Sequence, residues 1–323
     1  MKNTITQNDS SGANDEDWVD LCELAGYNNL VLKNFRNFQV AKEIIGGYPD
    51  YVVLEYCYRI KKISGDNYKN YLDLWDRFDK ISPSESYIRI TEDGKDYLLT
   101  PMTGRLLVNV INYFNIFNKL EDNINIAEIG SGIGGEYILI SKILSNSKVF
   151  GIKKNFRFTI FDLPTSKQMI SANCKLHGVA IPNFMYLDSN KEMQFDFVIS
   201  NGALTEMSPS LIREYYDKVI SKSSYSYILA NFDTHQSRVK KRNLWLEVNF
   251  IDFLKEQKIN FYVYLNIVDR ISRFDNIYNT LYILGVNDKS IVKSVPGSIL
   301  FHTRLIFYKA IKKICRIFLN KLL

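Results

Sequence analysis

Glu128-Ile129-Gly130-Ser131-Gly132-Ile133-Gly134-Gly135 is the stretch on which the fold turns. Ile124-Asn125-Ile126-Ala127 runs into it, short, apolar and β-rich, and reads as a strand. Tyr137-Ile138-Leu139-Ile140-Ser141-Lys142-Ile143-Leu144 follows and reads as a helix. Gly130, Gly132 and Gly134 remove side chains where the backbone must turn sharply and come close to a ligand. The helix that follows exposes N–H groups, which favour an anionic group such as a carboxylate.

Working outward, strands and helices alternate. Phe156–Asp162 is the next expected strand, Thr165–His177 the next helix, Phe184–Asp188 a third strand, Phe195–Asn201 a fourth and Tyr225–Asn231 a fifth. Helices are expected between them, at Pro209–Ser221 and, after the fifth strand, at Leu244–Gln257. Such alternation means crossover units and a parallel sheet. Phe261–Ile267 and Asn279–Gly285 follow one another with no room for a packed helix, and are expected to close the sheet as an antiparallel pair. The fold class is therefore α/β: a Rossmann-like doubly wound sheet with a closing antiparallel strand pair, preceded by a mainly helical N-terminal subdomain.

That subdomain is read from apolar residues at helical spacing, as in Val40–Ile45 and Tyr68–Trp75, with breaks at Gly46–Pro49, Ser64–Asp66 and Ser82–Ser84. Tyr87–Thr91 reads as a short strand, and Thr100-Pro101 opens a helix running to Phe114. The divisions are 1–16 as a disordered lead-in, 17–120 as a helical cap on the substrate side, 121–290 as the sheet domain and 291–323 as a basic amphipathic helix.

The 323 residues are enough for one large domain or a domain with a cap. The net charge of +6 is modest, and most basic residues are interleaved with acids, so no nucleic-acid partner is expected. Cys22, Cys57, Cys174 and Cys315 stand far apart, which excludes a zinc-finger pattern and a dense disulfide framework. A reducing, cytoplasmic location follows by default. The polar and acidic opening, MKNTITQNDSSGANDED, is not the pattern of a signal peptide.

In a doubly wound sheet the ligand lies outside the carboxyl ends of the strands, where strand order reverses. Asp162 ends the second strand, where an acid can accept hydrogen bonds from ribose hydroxyls, and Asp188 ends the third, toward an adenine. Gly130-x-Gly132-x-x-Gly135 also satisfies the dinucleotide fingerprint. Three features favour a methyl donor over a nicotinamide dinucleotide: the sheet opens a third of the way along the chain, Glu128 stands where a carboxylate can meet an ammonium group, and the sheet ends in an antiparallel pair.

Ala127–Gly135 resembles the first motif of class I S-adenosylmethionine-dependent methyltransferases. Phe161-Asp162-Leu163-Pro164 and Ser200-Asn201-Gly202-Ala203-Leu204-Thr205-Glu206-Met207 add a narrower resemblance, to a family of sugar O-methyltransferases from bacterial surface-polysaccharide gene clusters. The similarity covers roughly residues 85–285. It implies S-adenosyl-L-methionine as cofactor, held by Glu128, Gly130, Gly132 and Asp162, with Ser131, Gly134 and Asp188 beside them. Asp162 comes later after the glycines than the usual spacing of about 20 residues. The polar segment from Ser145 to Asn155 is the expected excursion that accounts for it.

A sugar hydroxyl is a poor nucleophile and needs a group to take its proton. His235, just past the fifth strand, is the first candidate, since neutral imidazole accepts a proton near pH 7. Glu206 is an alternative base or a helix cap, and Asn201 suits orienting a ligand. Ser208 suits capping the helix near Pro209. His177 reads as a helix C-terminal residue. Asp233 and His235 alone make no metal site, and none is expected. The acceptor is expected to be a small molecule or glycan.

At the C-terminus, Lys309, Lys312, Lys313, Arg316 and Lys321 alternate with Phe307, Ile311, Ile314, Ile317 and Phe318. A helix there has one basic and one apolar side, fit for peripheral contact with the inner face of a membrane or for packing on the domain or a second subunit of a homo-oligomer. A methyltransferase on another small molecule, a dehydrogenase and a catalytically silent partner remain the competing readings.

Overall fold

A computed structural model describes residues 15–38, 41, 52–82, 87–118, 120–187, 194–207, 209–231, 261–265 and 279–285. The N-terminal part is built from α1 (Asp15–Tyr27), α2 (Asn29–Lys33), α3 (Val52–Ser64), α4 (Tyr68–Ile81), a hairpin of β1 (Ile88–Glu92) and β2 (Lys95–Leu99), and α5 (Pro101–Phe117). Helix α1 takes in the last two residues of the expected lead-in. Asn28 starts α2, its side chain accepting from the N–H groups of Leu30 and Val31 at 3.0 and 3.2 Å. The second hairpin strand was not expected. Asp93 and Gly94 form its turn with φ of 51° and 77°, the left-handed pair that a two-residue hairpin requires.

Thr100 caps α5 and Pro101 fills its first position, as the Thr-Pro pair predicts. Buried Asp79 of α4 fixes that cap: it accepts from the Thr100 N–H at 2.8 Å and pairs with Arg36 at 2.7 Å. Trp75 closes the joint with its indole N–H on the Thr100 carbonyl at 3.1 Å. Gly104 lets the helices come this close, because a Cβ there would lie 2.4 Å from the Trp75 ring.

The sheet domain runs β3 (Asn123–Ile129), α6 (Gly135–Ser145), α7 (Ser147–Phe150), β4 (Asn155–Phe161), α8 (Pro164–Leu176), β5 (Asn183–Met185), β6 (Phe197–Asn201), α9 (Pro209–Lys218), β7 (Tyr225–Asn231), β8 (Phe261–Leu265) and β9 (Asn279–Gly285). Helix α7 occupies the expected polar excursion and ends at Gly151, φ 70°. The order across the sheet is β5-β4-β3-β6-β7-β9-β8. Strands β5 through β7 are parallel, and β9 inserts antiparallel between β7 and β8.

Alternation along each strand sorts the two faces. Ile124 and Ile126 of β3, Ile199 of β6 and Leu229 of β7 face the core shared with α5, α6 and α8. Ala127, Ile129, Val198 and Ile228 face the second core, with Ile212, Tyr215 and Tyr216 of α9. Period two therefore turns Glu128 and Asn201 toward α5 and α6. Tyr113 and Phe117 of α5 lock that side, their rings 4.7 Å from Tyr227 and 5.0 Å from Phe197. Such pairs contribute about 0.5–1.5 kcal/mol each beyond their buried area.

Cys22, Cys57 and Cys174 are free and buried. Burial pushes their thiols up to about 12, so none is a thiolate at neutral pH. Among the described residues no helix is long and apolar enough to cross a membrane. The expected helices at 244–257 and 291–323 lie outside the described residues.

Candidate functional site

Strand β3 is the point where the sheet changes direction. The chain goes from it to β4 and β5 on one side, then returns to β6 and β7 on the other. The crevice between the carboxyl ends of β3 and β6 is where such sheets take a ligand. The glycine loop lies there. Gly130, Gly132 and Gly134 all have positive φ, 70°, 57° and 74°. The Gly130 N–H bonds the Phe161 carbonyl at 2.9 Å, which fastens the loop to the end of β4. Across the crevice stands Ala203, just past β6: a Cβ on Gly130 would lie 2.1 Å from its methyl group.

Asp162 holds the loop from the other side. Its carboxylate accepts from the Ser131 and Leu163 N–H groups, each at 2.7 Å, and the Gly132 N–H and Ser166 side chain lie close by. Burial pushes its carboxyl above the usual carboxylate range, and these donors oppose the rise. A carboxylate has about four lone-pair sites. Asp162 is thus already the clamp that shapes the loop, and a ribose hydroxyl would compete for its remaining capacity.

Glu128 and Glu136 are the unusual pair. Each is only 2% exposed, one at the end of β3 and the other at the second position of α6. Oε1 of Glu136 accepts three bonds: Tyr113 Oη at 2.9 Å, Asn201 Nδ2 at 2.9 Å and Asn109 Nδ2 at 3.3 Å. Asn201 in turn accepts from Arg105 at 2.5 Å, and Tyr227 donates to Asn109 at 3.5 Å. Among the described residues, Oε2 of Glu128 and Oε2 of Glu136 receive no hydrogen bond. Burial, and then the charge of Glu136, push Glu128 well above the usual carboxylate range. Burial raises Glu136 too, against the pull of Tyr113, Asn201, Asn109 and Arg105.

Of the residues singled out from sequence, Glu128, Gly130, Ser131, Gly132, Gly134, Asp162 and Asn201 converge on this crevice. Asn201 has both ends of its amide engaged. The backbone of Glu206 ends a short 3-10 turn, Ala203–Glu206, that follows β6. Asp188, Ser208, Asp233 and His235 lie outside the described residues. His177 is the C-cap of α8, buried, with Nε2 3.3 Å from the Ser82 hydroxyl and its ring 4.4 Å from Phe78. Glu136, Arg105, Asn109 and Tyr113 were missed. The signal for three of them was present: Arg105, Asn109 and Tyr113 recur every four residues, a polar stripe along a mostly apolar helix.

No protein family and no curated protein matches the chain by sequence. Among solved structures, it is similar to the methyltransferase domain of bacterial CtHen1 at 7% identity and TM-score 0.42, over 57% of this chain and 100% of that one. It is also similar to the plantazolicin methyltransferase BpumL, solved with S-adenosylhomocysteine, at 14% identity and TM-score 0.39, over 73% and 98% of the two chains. The N-methyltransferase NodS from Bradyrhizobium japonicum, also solved with that compound, is 13% identical with TM-score 0.37, over 51% and 79%. A likeness this distant does not reach what this chain binds or methylates, and the narrower resemblance to sugar methyltransferases gains nothing from it.

Proposed function

We propose that this chain is an S-adenosylmethionine-dependent methyltransferase. The observation that carries the reading is the buried pair Glu128 and Glu136, one on either side of the glycine loop. A dinucleotide would bring its diphosphate to the start of α6. Two buried carboxyls there oppose that charge, whereas the ammonium of a methionine moiety complements it. The insertion of β9 antiparallel between β7 and β8 supports the same reading.

The residues present suit such a donor. Glu128 would meet the ammonium, and the backbone from Gly130 to Gly134 would allow the donor's close approach. The donor when bound supplies a methyl group on a positively charged sulfur, open to attack by a nucleophile. The protein's part is to align that nucleophile and take its proton. For the acceptor we propose a sugar hydroxyl, small or part of a glycan, with His235 as base and Glu206 as the alternative. Asn201, held by Arg105 and Glu136, orients the reacting groups.

Calorimetric titration with S-adenosylhomocysteine and with NAD tests the reading. Binding of the homocysteine compound alone is the expected result. Binding of NAD alone would overturn it in favour of a dehydrogenase, and binding of neither would point to a catalytically silent fold.

A further inference from the structure

We propose that Glu136 is a positioning residue for the donor's ammonium group: in the empty pocket Glu136 and Glu128 share one proton, and the arriving ammonium displaces it to solvent. The inference rests on the donor reading above and adds a proton account and a second carboxyl to it. The grounds are geometric. Two carboxyls with 2% exposure lie within hydrogen-bonding reach of each other, and such a pair bonds only if one of them carries a proton.

The surroundings leave the pair short of positive charge. From α5, Arg105 is the guanidinium that acts on Glu136, and Tyr113 donates a neutral hydrogen bond. Tyr227 of β7 reaches only as far as Asn109. Cys174 of α8 feels the charge of Glu128 but is a neutral thiol. Ser131 lies against Glu128, and Asp162 at the end of β4 adds a further negative charge. Among the described residues three carboxyls thus face one guanidinium. Oε1 of Glu136 is filled by three donors, while Oε2 of each glutamate accepts from none of the described residues. An ammonium group brings three N–H donors and one positive charge, which suits two such oxygens. Once it sits between them, both carboxylates are compensated and the shared proton has no reason to stay. The carboxyl O–H bond breaks, the proton passes to buffer, and the ammonium keeps all its protons.

The test is titration of the full chain with S-adenosylhomocysteine at pH 7 in buffers of differing ionisation enthalpy, which counts protons released per ligand bound. Close to one proton is expected. 5′-Methylthioadenosine, which has the nucleoside and sulfur but no ammonium, should bind with none released. Glu136→Gln should weaken S-adenosylhomocysteine binding about tenfold or more and leave methylthioadenosine binding unchanged, because only the first compound brings an ammonium to the pair. A structural role alone would weaken both compounds alike. If that variant does not fold, the two ligands on the unaltered protein still decide. Binding of S-adenosylhomocysteine with no proton released, or with the same count as methylthioadenosine, overturns the inference and leaves the donor reading standing. Failure of both compounds to bind overturns the donor reading itself.

Discussion

Replacing Gly130 by alanine tests whether the glycine loop is shaped by contact with the segment after β6. Two separate costs arise. At φ of 70°, a residue with a Cβ sits in the left-handed region, which costs about 1–2 kcal/mol. The new methyl would also lie 2.1 Å from the Ala203 methyl, where carbon contacts are ordinarily about 3.5–4 Å. Something must move by more than an ångström, and overpacking of this kind costs about 1–3 kcal/mol. The sum is about 2–5 kcal/mol, large against the ~5–15 kcal/mol that holds a typical domain together. Ala203→Gly should remove the second cost and leave the first. Chemical denaturation of the two single variants and the double variant, read as a cycle, should therefore give a favourable coupling of about 1–3 kcal/mol. S-adenosylhomocysteine affinity should drop in Gly130→Ala and partly return in the double variant, since the loop recovers its position. Strict additivity of the two substitutions would refute the contact. A Gly130→Ala protein of unchanged stability would refute both terms.

Three further outcomes follow from other parts of the molecule. Burial, with Arg36 and Lys142 adding to it, lowers His177 from 6.5 to about 3, so the folded protein holds this ring neutral while the unfolded chain protonates it below pH 6.5. Stability from this residue is thus intact above pH 6.5 and lost as pH falls toward 3, amounting to about 2 kcal/mol by pH 5. The pH slope of unfolding should flatten in His177→Gln between pH 7 and 5, and an unchanged slope would rule the account out. Asp162→Asn keeps the size of the clamp but loses its charge. Its charge-assisted bonds to the Ser131 and Leu163 N–H groups weaken, and S-adenosylhomocysteine should bind about tenfold less tightly, roughly 1.4 kcal/mol, in calorimetry. Gly104→Ala drives a methyl to 2.4 Å from the Trp75 ring and should cost about 1–3 kcal/mol in denaturant unfolding, a figure that an unperturbed midpoint would contradict.

Much of this architecture is legible in local patterns. The alternation of β-rich and helical stretches from Ile124 onward places β3 through β7, most plainly β3, β4 and β6, which are buried on both faces toward their carboxyl ends and show as apolar runs there. Thr100-Pro101 marks the start of α5 because cap chemistry is local. The hairpin strand Lys95–Leu99 carries a weaker signal, the Asp93-Gly94 pair, because its first two residues are charged and exposed and its apolar run is only three residues long. The insertion of β9 between β7 and β8 was not legible. Adjacency along the chain suggests a pair, but nothing local says which member meets β7. Asp162 has a second role that its position does not reveal: an acid at a strand end reads as a ligand contact, and in the fold it accepts a backbone N–H group from the loop it faces.

The buried carboxyl pair shows why part of a site escapes sequence reading. Glu128 was visible because it stands beside the glycines. Glu136 stands equally close on the other side, yet an acid in the first turn of a helix ordinarily serves the helix dipole in water. What changes its meaning is α5, whose stripe of Arg105, Asn109 and Tyr113 packs over the start of α6 and removes the solvent. Helix α5 belongs to the segment that reads as a separate cap. The Arg105 to Asn201 bond and the Asn109 and Tyr113 bonds to Glu136 instead make it a wall of the crevice. With solvent excluded, a carboxyl that would be unremarkable on a surface becomes a charge that must be protonated or met by a cation. The cap helix therefore does more than cover the sheet: it converts two acids beside a glycine loop into a binding element with a sign.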